Sequence, residues 1–198
     1  MKRRLFLFLS LSCCAIVLLA LTHPFIDSRW TRYQMASEID PPAFNRLDAL
    51  VHYSPVIVEI NAVRGSETDR SNEARPVTKT NVIVSNVIKD GMKQGIREGD
   101  SITVLEGYYA VDRPGFLPGR TLFTYGNYTR LLPNATYLLF LLWSDANQAY
   151  SLIPGHAGKM NLDGKDRDET RYESQSSSYS KLKSEAIARY RSTGINTP

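Results

Sequence analysis

The sequence predicts a mainly β protein. The expected fold is a small closed or partly open β-barrel with a short N-terminal helix and a C-terminal helix, preceded by one membrane helix. Three observations predict it. From Pro55 onward, short runs rich in β-branched and aromatic residues recur between clusters of Gly, Pro, Asn and Asp. One of these runs, Tyr137 to Trp143, is apolar without a break, as expected of a strand buried on both faces. At the N-terminus, Lys2, Arg3 and Arg4 precede an apolar stretch from Leu5 to Leu21.

That N-terminal stretch is read first because it fixes location. Its seventeen residues span about 26 Å as a helix, the lower edge of a membrane crossing. The best cleavage-like spacing, Ala20-Leu21-Thr22, is poor, so residues 1–22 are expected to be an uncleaved signal-anchor, with secretion after signal cleavage as the alternative. Either way the basic cluster stays in the cytoplasm and the remainder is exported. Cys13 and Cys14 lie inside this segment, and "SLSC" resembles a lipoprotein box only faintly, because the apolar run continues past it. From Ala15 onward there is no cysteine, which removes disulfides, a thiol nucleophile and cysteine-ligated zinc from the exported part.

Charge excludes a further class. The chain carries a formal net charge of +4, but residues 41–164 hold twelve basic and twelve acidic side chains. A nucleic-acid binder concentrates Lys and Arg in its folded domain, so no nucleic-acid partner is expected.

The elements then follow in order. Residues 23–40 read as a connector of mixed polarity. In "PPAFNRLDALVHYSP", Phe44, Leu47, Leu50 and Val51 share one face of a short helix that Pro55 ends. "VIVEINAV" and "VTKTNVIVSNVI" are strands joined by the polar "ETDRSNEA". "KDGMKQGIREGD" is a glycine-rich connection before the strand "SITVLEG". "YYAVDRPGFLPGR" reads as one long loop, followed by the strands "TLFTYGNY", "TYLLFLLW", "AYSLI" and "GKMNL". The barrel domain is therefore set at residues 41–164. Residues 165–198 read as a polar tail, mobile at first, then a short amphipathic helix with Leu182, Ala186, Ile187 and Tyr190 on one face. The apolar run at 137–143 is not a second membrane pass. The eight residues of "TYLLFLLW" reach only about 12 Å as a helix, and a lone strand cannot sit in lipid with unpaired backbone groups.

The order "LDALVHYSPVIVEINAV", "VSNVIKDGMKQGIREGDSITVLEG", "LLPNATYLLFLLW" and "YSLIPGHAGKMNLDG" resembles a family of exported, mostly uncharacterised proteins from Gram-positive bacteria. Lys89-Asp90-Gly91, then Gly99, Asp100, Ile102 and Val104, then Tyr137 to Leu141, then Gly158-Lys159-Met160 carry the resemblance, over about residues 45–164. "LLPNAT" departs from it by lacking a glycine, and "PGHAGK" alters the closing motif. That family is similar to the netrin-like or tissue-inhibitor-of-metalloproteinase fold, so the resemblance implies an OB-type barrel. The animal inhibitors act through an N-terminal cysteine, and the exported part here has none, so that activity is not carried over.

Motifs for chemistry are sparse. No G-x-S-x-G or H-E-x-x-H occurs, and His23, His52 and His156 read as surface or turn residues. "PGHAGKM" lacks the spacing and hydroxyl of a phosphate loop, and the carboxylates of "NLDGKDRDE" lack the pattern of a calcium loop. No cofactor, metal or catalytic residue is expected. The informative segment is Gly107 to Arg130. It interleaves Tyr108, Tyr109, Phe116, Tyr125 and Tyr128 with Arg113, Arg120 and Arg130, a mixture suited to stacking on sugars and pairing with acidic groups. Its alternative is that half the aromatics pack in the core. The expectation is an extracytoplasmic, membrane-anchored binding module for a protein, peptide or cell-envelope polymer. The alternatives are an exported envelope-acting hydrolase or a structural subunit of a membrane complex.

Overall fold

The computed structural model describes residues 31–37, 44–112 and 119–191. The expected anchor, residues 1–22, lies outside the described residues. Among the described residues no helix is long and apolar enough to cross a membrane. The elements in chain order are β1 (Arg32–Ser37), α1 (Leu47–Tyr53), β2 (Val56–Asp69), β3 (Val77–Asp90), β4 (Ser101–Glu106), β5 (Tyr108–Asp112), β6 (Arg120–Tyr125), β7 (Tyr137–Ser144) and β8 (Ala149–Leu152). A 3-10 turn (His156–Gly158), β9 (Lys159–Asn161), α2 (Arg167–Gln175) and α3 (Ser177–Arg191) complete the chain.

Two compact units are present. Of the described residues, one comprises 31–34, 110–112 and 119–123, the other 35–37, 44–109 and 124–191. The first contributes to a three-stranded sheet of order β1-β6-β5. The second holds a closed five-strand barrel. Its strands run β2-β3-β4-β8-β7, and β7 returns to pair with β2. Closure needs β2 to serve two neighbours at once. Val56 to Ile60 pair with Leu141 to Tyr137 of β7, while the other edge pairs along β3 from Val56↔Asp90 to Asp69↔Val77. Register shifts at Ile57/Val58, Glu59/Ile60, Ile60/Ala62 and Val63/Gly65 bend and twist β2 so that it can do both. A parallel pair, Val104↔Tyr150 and Leu105↔Ser151, joins β4 to β8, and β9 extends the same edge of β7 beyond β8.

The two faces of β7 explain its unbroken apolar sequence. Tyr137, Leu139 and Leu141 point into the barrel with Val56, Val58, Ile60, Val82, Val84 and Val104. Leu138 and Phe140 point outward into a second core with Leu47 and Leu50 of α1, Ile57, Ile153, Met160, and Leu182 and Ala186 of α3. The alternation of a strand thus feeds two cores, and the helices close the outer one. As the helical spacing predicts, Leu182 and Ala186 are buried and Ile187 and Tyr190 are half-buried.

Several motif residues have definite tasks. Lys89 donates from Nζ to the carbonyls of Val51 (2.7 Å) and Ser54 (2.8 Å), placing a cation at the C-terminus of α1. Gly91 donates its N–H to Pro55 O at 2.8 Å, and a Cβ there would stand 2.8 Å from the same oxygen. Gly158 is stricter, since a Cβ would fall 2.0 Å from Ile153 O. Asp100 accepts from Arg97 N at 2.8 Å, the local turn bond its position suggests.

The structure corrects four boundaries. Residues 32–37, expected in a connector, form β1, whose side chains are all exposed, so backbone pairing alone makes it a strand and no apolar alternation marks it. Strand β2 continues past Val63 through "RGSETD", because its backbone pairs with β3 whatever its side chains. The expected single loop after Gly107 contains β5 and the start of β6. The stretch expected to be mobile after Lys165 is α2, fixed by Asp166 as its N-cap.

Phe140 is fully buried between α1 and α3, so Phe140→Ala is expected to cost about 3–5 kcal/mol in urea unfolding, whereas truncation of an exposed β1 side chain such as Met35→Ala costs under about 0.5 kcal/mol.

Candidate functional site

One end of the barrel unit carries a cleft of about 740 Å³, within the ~300–1,000 Å³ range of small-ligand sites. The β2–β3 connection supplies one wall, with Asp69, Asn72 and Arg75. Leu105, Glu106 and Gly107 of β4 and its exit form the floor, and Asn147 and Ser151 enter from β7–β8. Tyr125 and Tyr128 line one side. The 3-10 turn and α2 bring His156 and Tyr172 to the other.

The turn chemistry of the first wall is explicit. Asn72 Oδ1 accepts from Ala74 N (3.1 Å) and Arg75 N (3.2 Å), an Asx-type turn that fixes the approach to β3. Asp69 accepts from Ser71 N at 2.8 Å and pairs with Lys79 at 2.6 Å. The Lys79 hydrogen bond and the bond from Ser71 hold its carboxyl well below the usual carboxylate range. Arg75 lies over the Tyr125 ring at 5.2 Å, and Tyr125 is itself anchored by a 2.8 Å bond from its hydroxyl to Pro76 O.

Beneath the floor runs a buried polar system. Glu106 is 1% exposed and accepts from Thr80 Oγ1, from Tyr128 OH (2.8 Å) and from Leu131 N (2.6 Å). Burial lifts its pKa above the ordinary value, against the pull of these donors and of the Lys159 ammonium. Lys159 and Asp166 are both 2% exposed and lie 2.7 Å apart. Tyr137 donates to the same Asp166 oxygen at 3.1 Å, and the Lys159 ammonium sits 4.9 Å from the Tyr137 ring centroid. Burial opposes ionisation of Asp166, but Lys159 and the hydrogen bonds outweigh it and hold its pKa below the ordinary value. The other oxygen of Asp166 caps α2 through Glu169 N at 3.1 Å. Glu169 accepts from Asn161 N (2.7 Å) and from Lys183 of α3 (2.8 Å), which ties both helices to β9.

His156 is placed by the 3-10 turn against two phenol rings. It stacks on Tyr172 at 3.5 Å and meets Tyr179 edge-on at 5.9 Å. Its Nε2 is buried with no hydrogen-bond partner among the described residues. Burial, then the nearby Lys159 charge, pushes its pKa down to about 4, so the ring is neutral at physiological pH.

The residues singled out from the sequence are divided by the structure. Tyr125 and Tyr128 line the cleft. Tyr108 is buried, stacked on Tyr128 at 6.3 Å, and belongs to the interior rather than a rim. Tyr109 packs near Tyr125 at 6.1 Å. Arg120 opens β6 and is exposed. Arg130 is half-buried and accepts from Lys159 through its carbonyl at 3.4 Å. Arg113 and Phe116 lie outside the described residues. Sequence reasoning missed Arg75, Asn72, Asn147 and Tyr172 as site residues, and took His156 for a simple turn residue. Only the Asn-Glu-Ala-Arg turn spelling hinted at a formed loop. No cluster of His, Cys, Asp and Glu suited to a metal occurs among the described residues.

Two outcomes are expected. Lys159→Met leaves Asp166 charged, buried and unpaired, so it should cost about 3–5 kcal/mol, and Lys159→Met with Asp166→Asn should recover part of that in urea unfolding. For His156, the folded pKa near 4 lies below the ordinary 6.5. Between these values the unfolded chain takes up a proton that the folded chain refuses, so stability falls as pH drops through this window and is fully present above it. Partial exposure tempers the loss to about 2 kcal/mol, and the slope contributed by this ring should vanish in His156→Phe, read as the pH dependence of urea midpoints.

No family model, curated protein or solved structure matches this chain, so no relative assigns a role to any of these residues.

Proposed function

We propose that the chain is an extracytoplasmic, membrane-anchored binding module that holds a cell-envelope polymer in the cleft and carries out no catalysis. The observation that carries this reading is the cleft itself, where Tyr125, Tyr128 and Tyr172 stand among Asn72, Asn127, Asn147 and Ser151. Aromatic faces beside amides and hydroxyls suit the C–H faces and hydroxyls of a sugar chain. The barrel is read as OB-type, in line with the resemblance to netrin-like proteins. Strand order β2-β3-β4-β8-β7 closing on β2, with a parallel β4–β8 pair, supports that reading. In OB-type barrels ligands bind over the second and third strands and the loops between strands one and two and between four and five. The cleft uses the corresponding β2–β3 connection, the end of β4 and the β7–β8 connection. The anchor rests on Lys2-Arg3-Arg4 and the apolar residues 5–21. A His-centred hydrolase draws no support from His156, whose ring is held by stacking and whose Nε2 meets neither an acid nor a hydroxyl among the described residues.

The test uses the full chain in detergent and its capture on purified cell-wall sacculi. Asn127 is exposed, so Asn127→Trp fills the cleft from its rim, and Tyr172→Ala removes one ring. Each is expected to lower retention about fivefold or more, since stacked anchors contribute around 1 kcal/mol or above. Retention at the wild-type level in both variants, with unchanged melting, would sink the reading.

A further inference from the structure

The charge that the cleft offers to a ligand is positive. Asp69 is neutralised by Lys79 at 2.6 Å and its side chain is only 17% exposed. Glu106 is buried under Tyr128 and filled by three donors. His156 is neutral and stacked. Arg75 is the remaining charged group on the wall. It is exposed, and no carboxylate pairs with its guanidinium among the described residues. Its plane is supported by the Tyr125 ring, whose hydroxyl is tied down, so its fork of donors is partly pre-organised. Asn72, three residues away, spends its Oδ1 on two backbone N–H groups. What it has left to offer a ligand is the pair of Nδ2 donors. Guanidinium and amide donors therefore stand together on the β2–β3 wall of the cleft, beside the ring of Tyr125.

At the floor of the cleft Leu105 is paired on both edges, with Lys79 of β3 and Ser151 of β8, so a peptide cannot add as a strand there.

Resting on the binding reading above, we infer that the cleft selects an acidic glycan. Arg75 and Asn72 take a carboxylate or phosphate on the glycan, and the tyrosines carry its sugar rings. The anionic group binds to the guanidinium fork, which reads planar or tetrahedral oxygens with paired N–H donors. No bond is made or broken.

The experiment is calorimetric titration of the full chain in detergent with four probes of similar length. They are a galacturonate tetramer, a neutral maltotetraose, a glycerol-phosphate oligomer and a glutamate tetrapeptide. Expected is binding of an acidic glycan about tenfold or more tighter than maltotetraose, with loss of that advantage in Arg75→Gln and at raised salt. Tightest binding of the galacturonate tetramer supports the inference, whereas tightest binding of the glycerol-phosphate oligomer, which has no sugar ring for the tyrosines, overturns the glycan class. Equal binding of maltotetraose and the acidic probes, unaltered by Arg75→Gln, overturns the anionic selection while leaving the binding module intact. Tighter binding of the glutamate peptide overturns the glycan class. Absence of binding to all four, together with undiminished sacculus capture by the cleft variants, overturns both readings. Arg75 is exposed, so circular dichroism melting of Arg75→Gln should match the parent chain.

Discussion

The structure depends on one strand being buried on both faces and paired on both edges. Tyr137 to Leu141 meet β2 along one edge, and the other edge of β7 meets β9 and then β8. Every backbone group of such a strand must find its partner in the sheet, because no water reaches it. That requirement closes the barrel. It also explains why apolar side chains occur at consecutive rather than alternate positions, since inward residues fill the barrel and outward residues receive α1 and α3. A polar side chain at Leu138 or Phe140 would face a helix instead of solvent.

The second constraint is electrostatic. A buried ion pair compensates its desolvation only with good geometry and added hydrogen bonds. Lys159 and Asp166 meet both conditions through Tyr137, and the free oxygen of Asp166 is engaged in capping α2. One carboxylate thus links the barrel interior to the C-terminal helices. Lys183 repeats the arrangement between α2 and α3, bonding Glu169 and Glu173 at 2.8 Å each. By contrast the pair Arg189–Asp48, with both side chains about half exposed, adds little beyond local order. The segment is rich in charge because its charges are internal fasteners, which is why it looked mobile as a string of letters.

These interior bonds also set the cleft. Tyr128 is held by Glu106, Tyr125 by Pro76, and Tyr172 by its stack on His156, so the rings that line the cleft have their orientations fixed from behind. A pre-organised wall loses less side-chain entropy on binding than a mobile one. The neutral body of the domain, with equal numbers of acidic and basic groups, conceals an uneven distribution at this site. The acids there are paired or buried, and Arg75 is not.

Much of the fold was legible in the sequence. The uninterrupted run at 137–143, the helix face Leu47–Leu50, the long strand Val77–Asp90 and the face Leu182–Ala186 all follow from local periodicity, because burial imposes a repeat that neighbouring residues share. What escaped is what depends on partners far along the chain. β1 and the outer half of β2 are strands by backbone pairing, which leaves no mark in side-chain polarity. The Tyr–Arg segment supplies Tyr125 and Tyr128 to the lining of the cleft, but that Tyr128 is tied to a buried carboxylate depends on Glu106, which lies outside the turn that displays it. The sequence by itself determined the β-rich class, the doubly buried strand and the apolar faces of the helices, since these are local repeats. The tertiary structure decided which polar residues became interior fasteners and which formed the cleft, because Arg75, Tyr128, Asn147 and Tyr172 come together only through long-range pairing and helix docking.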